Sequence, residues 1–319
     1  MKILATIVFG YFLVVGKVGE GLGGSGEEPA RLATGMTDSA RLELDRALSL
    51  SLGESASFDP ELDSPRRIVT RGRVVYIPEG CRSVADRYDL MVHFHGAPQV
   101  VEPAFDRSGL DGVLVTINLG NGSGAYEDAY QARGSYDGLL ASVGETVKDL
   151  CPKAAGQVRR VALTGWSAGY GAIQKILDRP DDARRIDAVL LADGLHVGFE
   201  GSKWSRKVNP AAMAPFTLYA DEAVAGRKLF AISHSSIQTP YASTTETANF
   251  LLDVENIVPV VSSTPGPRPG MVLKVSADRG EFHVRGFGGD DKAAHCDHLH
   301  AFGDILLPYL RERWEKPVP

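Results

Sequence analysis

From about Arg66 onward, short apolar runs alternate with longer stretches in which apolar residues recur every three or four positions. Runs of β-branched and aliphatic residues predict strands at 90–94, 112–118, 161–164, 188–192, 229–232 and 271–275, with a first strand or hairpin at 68–77 ended by Pro78. Between them, Leu139, Leu140, Val143 and Val147 mark one amphipathic helix, and Ala172, Ile173, Ile176 and Leu177 mark another. Leu299, Phe302, Leu306, Tyr309 and Leu310 give the apolar side of a last helix. Strands alternating with helices predict an α/β domain with a mostly parallel central sheet covered by helices on both faces. Two stretches break the pattern. Residues 119–134, rich in Gly, Asn and Tyr, read as a long loop. Residues 195–227 show no clean strand and scatter Trp204, Met213, Phe216, Leu218 and Tyr219.

The chain before Arg66 has a different character. Lys2 precedes an apolar run at 3–15, bounded by Gly16 and Lys17. That run falls short of the about 20 residues of a membrane span and suits the core of a secretory signal. Residues 1–24 are therefore expected to be a signal peptide or an N-terminal anchor, which makes the protein secreted or periplasmic, with no stable membrane span once the signal is cleaved. Residues 25–65 are expected to hold a Gly/Ser/Glu-rich linker and a short helix. Ala40, Leu44, Leu48 and Leu52 recur at a spacing of four, with Thr37 or Asp38 to cap the start and Gly53 to end it. Residues 66–319 form the main domain.

Composition adds exclusions. The 319 residues are 44% hydrophobic and 23% charged, which suits one large globular domain. A formal net charge of −6 without a Lys/Arg cluster argues against a nucleic-acid partner. Cys81, Cys151 and Cys296 leave one thiol over after any pairing. In an exported protein Cys81 with Cys151 is the natural candidate disulfide; three free thiols are the alternative. No Cys-x-x-Cys or His/Cys cluster calls for a metal, and no cofactor is implied.

The chemistry concentrates at Gly165-Trp166-Ser167-Ala168-Gly169, a Gly-x-Ser-x-Gly pentapeptide between the predicted strand at 161–164 and the helix carrying Ala172 and Ile173. A strand-to-helix turn this tight strains its central residue, and glycines on both sides remove the Cβ atoms that would collide. The turn holds a hydroxyl out at the end of the sheet, near the positive end of a helix dipole. A second motif, Leu90-Met91-Val92-His93-Phe94-His95-Gly96-Ala97, is an apolar strand ending in a His-Gly pair.

In these two motifs and in their order ahead of His295 and His298, the chain resembles the α/β-hydrolases over about residues 67–313. The resemblance implies acyl transfer by a Ser-His-acid triad, with an oxyanion hole made by the backbone N–H of Ala168 and one from the Gly96-Ala97 turn. The second glycine of the usual His-Gly-Gly motif is Ala97 here. The base is expected just before the final helix, at His295, in the loop one turn ahead of the apolar positions, with His298 as the second choice. The usual position of the acid, one strand further on, reads Ser233-His234-Ser235 and holds no carboxylate. Asp193, ending the strand at 188–192, is the expected acid. Glu246 is the rival, although Ser243-Thr244-Thr245-Glu246 reads as a capping box. Asp290 and Asp291 read as solvated loop residues. His93-x-His95 has the spacing of some metal sites, but it ends a strand without a matching ligand set, and His95 is read as shaping the oxyanion loop. Asn118, Asn121, Tyr126 and Tyr130 line the predicted loop, where they could meet polar substrate groups or only solvent. In this fold 195–227 holds either a cap over the site or a plain connection of one or two helices.

The expected activity is hydrolysis of a carboxylic ester of a small-molecule or lipid-like substrate. A peptidase or amidase with the same triad, or a non-catalytic binding protein on this fold, are the alternatives. The oligomeric state is not encoded.

Overall fold

Ten strands among the described residues join in one sheet, in the order β1-β2-β4-β3-β5-β6-β7-β10-β9-β8. They are β1 Arg66–Thr70, β2 Arg73–Ile77, β3 Arg87–Phe94, β4 Val113–Ile117, β5 Gln157–Trp166, β6 Ala188–Ala192, β7 Leu229–His234, β8 Val260–Pro265, β9 Val272–Arg279 and β10 Phe282–Phe287. The structure is a computed structural model that describes residues 60–317 except 71, 155 and 203. The expected signal or anchor at 1–24 and the expected helix near 40–52 lie outside the described residues. No helix among the described residues is long and apolar enough to cross a membrane.

The sheet is mixed, which corrects the expectation of a mostly parallel one. Strands β4, β3, β5, β6, β7 and β10 run parallel in the centre. Antiparallel pairs flank them: β1 and β2 at one edge, β9 and β8 at the other. The central strands read as continuous apolar runs because both of their faces are covered. The edge strands alternate or are exposed, as with Val260 and Val261 of β8. The run at 271–275, read as the last parallel strand, belongs to β9 of the antiparallel edge. The parallel neighbour of β7 is β10, where buried Phe282 and Val284 alternate with less buried residues.

The helices are α1 Pro60–Asp63, α2 Pro98–Ser108, α3 Ser123–Gln131, α4 Ser135–Leu150, α5 Tyr170–Leu177, α6 Pro180–Arg184, α7 Pro210–Val224, α8 Thr244–Val254, α9 Lys292–His300, α10 Phe302–Ile305 and α11 Leu307–Glu315. One apolar core joins Leu90, Val92 and Phe94 of β3 to residues of α3, α4, α5, α7 and α8. The other joins Met91 of the same strand to α2, α10 and α11. The period-2 alternation of a strand thus feeds two separate cores, and three layers result.

Both irregular stretches contain a helix. Residues 119–134 contain a helix, α3, because Tyr126 and Tyr130, four apart, bury one side of it in the core. The second half of 195–227 is not a cap. Met213, Phe216 and Tyr219 of α7 point into the core, with Phe216 and Tyr219 against Phe230 of β7, so α7 is the connection from β6 to β7. The single apolar run expected for the last helix divides into α9, α10 and α11.

Cys81 and Cys151 form a disulfide across a sequence separation of 70, tying the 3₁₀ turn Gly80–Val84 to the end of α4. Closing a loop of that length removes about 4 kcal/mol of chain entropy from the unfolded state. Reduction, or the Cys81→Ser/Cys151→Ser double variant, is expected to lower the free energy of unfolding by an amount of that order, read as an earlier urea midpoint. Identical urea melts with and without reductant would show the bond to be absent.

Candidate active site

The chain leaves β3 through α2 on one face to reach β4, then returns through α3 and α4 on the other face to β5. Strands β3 and β5 are neighbours, so the connections diverge between their carboxyl ends and open a crevice there. Three of the expected site residues follow the ends of β3, β5 and β6, which lie side by side. They are His95, Ser167 and Asp193, with φ of 63°, 49° and 43°. Left-handed backbone in a residue other than glycine costs about 1–3 kcal/mol and clusters where a site is built.

Ser167 opens a 3₁₀ turn, Ser167–Gly169, that runs straight into α5. Two glycines make this turn fit. A Cβ on Gly169 would stand 2.1 Å from the carbonyl oxygen of Phe94, and one on Gly194 would stand 2.5 Å from the carbonyl oxygen of Ser167. The first close approach locks the serine turn onto the end of β3; the second locks it to the residue after Asp193.

Asp193 is buried, and its carboxylate accepts four hydrogen bonds. Oδ1 takes the Ser235 backbone N–H at 2.8 Å and the Thr244 hydroxyl at 2.6 Å. Oδ2 takes the Ser235 hydroxyl at 2.8 Å and His295 Nδ1 at 2.7 Å. Burial pushes its pKa up. The His295 hydrogen bond, the nearby His298, and the Ser235 and Thr244 donors outweigh that and hold it below the usual carboxylate range.

The two histidine candidates separate cleanly. Both lie on α9, so His295 is not in a loop; the helix begins earlier than its apolar positions indicate because Asp291 caps it by accepting from the Ala294 N–H. His295 is partly exposed and faces Asp193. His298 is buried, with Nδ1 on the Ser233 hydroxyl at 2.9 Å and its ring edge-on to Phe287. Burial lowers its pKa to about 4. The structure therefore brings His295, not His298, to the carboxylate. Glu246 completes a capping box with Ser243 and pairs with Arg206.

Trp166, inside the pentapeptide, was not singled out from sequence. Its ring stacks on His295 at 4.7 Å and on His95 at 5.1 Å, and its Nε1–H donates to the His295 carbonyl at 3.0 Å. His95 in turn bonds the Tyr126 hydroxyl through Nδ1 at 2.9 Å. Burial lowers its pKa, the carbonyl of Gly120 opposes that, and His295 lowers it further. His93 is engaged elsewhere, buried against Phe302 and bonded to the Thr164 hydroxyl at 2.8 Å. Asn118 clasps Gly96 from both sides: its Oδ1 accepts the Gly96 N–H at 3.1 Å and its Nδ2 donates to the Gly96 carbonyl at 2.8 Å. That removes Gly96 from the expected N–H donors. Ala97, which caps α2, is the one of the pair that Asn118 does not occupy.

Ser167 lies where two cavities meet. The smaller, about 300 Å³, is lined by Asp193, His295, Ser235, Thr244, Asp291 and Lys292 among others. The larger, about 580 Å³, is lined by Ala168, Asn121, Ser123, Glu127, Lys175 and Tyr170 among others. His196 and Tyr241 border both, with their rings 5.0 Å apart. Neither residue carried a sequence signal, because only the fold brings the segment after β6 beside the one before α8.

No protein-family model and no curated protein matches the chain. Among solved structures it is similar to a cold-adapted esterase from an Arctic intertidal metagenomic library, at 13% identity and a TM-score of 0.41, over 78% of this chain and 93% of that one. It is also similar to an uncharacterised protein from Capnocytophaga ochracea, at 9% identity and a TM-score of 0.43, over 80% of this chain. In the latter case it spans 66% of the other chain's length.

His298 and His93 predict an acid sensitivity. Burial holds His93 at about 3 and His298 at about 4, below the 6.5 of a free imidazole. As pH falls below 6.5 the unfolded chain takes up these protons first, so stability is present above 6.5 and lost progressively toward pH 4. The slope is up to about 1.4 kcal/mol per pH unit for each histidine. Urea melts between pH 7 and 4.5 measure it. His298→Asn is expected to flatten the slope by one histidine's share; an unchanged slope would mean that His298 titrates normally.

Proposed function

We propose that the protein is a serine hydrolase of the α/β-hydrolase type that cleaves a carboxylic ester through an acyl-enzyme. The observation that carries this reading is the 2.7 Å bond from His295 Nδ1 to the buried carboxylate of Asp193, in the same cavity as Ser167. A serine hydroxyl is a weak nucleophile at neutral pH and needs a base oriented by a third group. Asp193 fixes the tautomer by accepting the Nδ1 proton, which leaves Nε2 as the basic nitrogen.

In the proposed reaction Ser167 Oγ attacks the carbonyl carbon and its proton passes to His295 Nε2. The charge that develops on the carbonyl oxygen is met by the N–H groups of Ala168 and Ala97. Collapse of the tetrahedral intermediate expels the alcohol, which takes the proton back from His295. Water activated by the same imidazole then releases the acid and restores the serine. Asp193 stays ionised throughout, as its four donors require.

We further propose that the protein acts outside the reducing cytoplasm. The Cys81–Cys151 disulfide supports this, since such bonds persist in oxidising compartments.

A fluorophosphonate probe and p-nitrophenyl acetate test the reading together. Ser167→Ala is expected to abolish labelling, and Ser167→Ala and His295→Gln to lower ester turnover by about 10³-fold or more. His298→Asn, in folded protein, is expected to retain labelling. Failure of the wild-type protein to label, or equal loss in the His295 and His298 variants, would sink the assignment. Turnover of peptide p-nitroanilides in place of esters would favour the amidase alternative.

A further inference from the structure

The larger cavity beside Ser167 is walled differently from a fatty-acyl tunnel. It is lined by Glu127, Asn121, Tyr241, Lys175, whose ammonium also pairs with Asp178, and Ser123 and Tyr170, whose hydroxyls bond each other. Its volume of about 580 Å³ is that of a small-ligand pocket, about 300–1,000 Å³, but such pockets are mostly apolar. A more apolar groove among the described residues lies elsewhere, lined by Leu177, Pro180, Ala183, Pro215 and Leu218 with charged residues at its rim, and it includes none of the site residues. An alkyl chain in the larger cavity would strip water from charged and polar groups without replacing their hydrogen bonds.

The position of His295 decides which half of an ester enters. The departing alcohol takes its proton from His295, and His295 lines the smaller cavity. The acyl half therefore extends the other way, past Ala168. We infer that the larger cavity is the acyl subsite and that the acid it accepts is polyhydroxylated, of the sugar-acid kind, rather than a fatty acid. Glu127 supplies an acceptor that can bridge neighbouring hydroxyls, and Lys175 and Asn121 supply donors. The rings of Tyr170, His196 and Tyr241, packed edge to face at 5.6 and 5.0 Å, give the C–H face of a sugar ring a wall to lie on. The esterified acid has lost its own charge, so it meets no repulsion from Glu127. This inference rests on the proposed ester hydrolysis and narrows its substrate away from the lipid-like ester expected from sequence.

The test compares methyl esters that share one alcohol: the methyl ester of glucuronic acid against methyl octanoate, with fluorophosphonate labelling of Ser167 as the independent check on the nucleophile. The glucuronate ester is expected to have at least about tenfold the kcat/KM of the octanoate, since a site built to bond hydroxyls rejects analogues that lack them. Glu127→Gln is expected to shrink that ratio about tenfold, chiefly through KM, and Glu127→Leu to shift it further toward the octanoate. Octanoate preferred by the wild-type protein, or a ratio unmoved by both variants, overturns the polyhydroxylated acyl subsite while labelling leaves the nucleophile standing. Labelling with turnover of neither methyl ester overturns it as well. Absence of both labelling and turnover removes the proposed function, and this inference with it.

Discussion

The carboxylate of Asp193 organises the whole crevice. An ionised group taken this far out of water survives only if its lone pairs are filled, and here four donors fill them. The donors come from the residue after β7, the start of α8 and the middle of α9, which converge on this carboxylate. One charge just past β6 therefore fixes the relative placement of three later elements. The cost of burying it is offset only when all are in place, which makes the site's geometry a consequence of folding rather than an addition to it. The position of α8 helps further, since its N-terminal turn brings the Thr244 hydroxyl and the positive end of the helix dipole toward the negative charge.

Strain and close packing act together at the neighbouring strand ends. His95, Ser167 and Asp193 each sit in left-handed backbone, and each directly follows a strand of the parallel centre. A strand that continued in extended backbone would carry its next side chain along the sheet; the reversal of φ turns it up into the crevice instead. Gly169 and Gly194 make this affordable in space, because the serine turn presses against Phe94 on one side and against the residue after Asp193 on the other. The sheet centre, buried on both faces, is what over-determines these three positions against relaxation.

Legibility followed the range of the interactions. Ser167 was readable because its strand, glycines and helix are contiguous, and Asp193 because the apolar run before it ends at the same sheet edge. His295 and His298 were not separable, since they are three residues apart on one helix and differ only in what lies across from them: Asp193 for the first, Ser233 and Phe287 for the second. The start of α9 was misplaced because its cap, Asp291, precedes any apolar position. Helix α3 hid behind Gly, Ser and Asn, with Tyr126 and Tyr130 as its sole buried anchors. The antiparallel edge was misassigned because alternation tells a strand's exposure but not its direction. Asn118 looked like a loop residue; its clasp on Gly96 joins residues 22 apart and leaves no local pattern.

Trp166 shows how the pentapeptide reaches beyond its serine. Its indole stacks on two imidazoles, and the two differ in their surroundings. His95 is bonded to a tyrosine hydroxyl, and burial disfavours its charged form. His295 is bonded to a carboxylate. In the proposed reaction His295 passes through the imidazolium form, and both its in-plane partner, Asp193, and the negative face of the indole at 4.7 Å favour that charge. A charged His95, stacked on the same indole, would compete for that ring and repel the transient cation. Keeping His95 neutral therefore reserves the indole for His295. The hydrogen bond from the Trp166 indole Nε1–H to the His295 carbonyl fixes the helix that carries the imidazole to the strand that ends at the serine. The proposed nucleophile and base are thereby held by one residue adjacent to the first and stacked on the second, so that a shift of β5 against α9 would disturb a hydrogen bond and a ring contact at once.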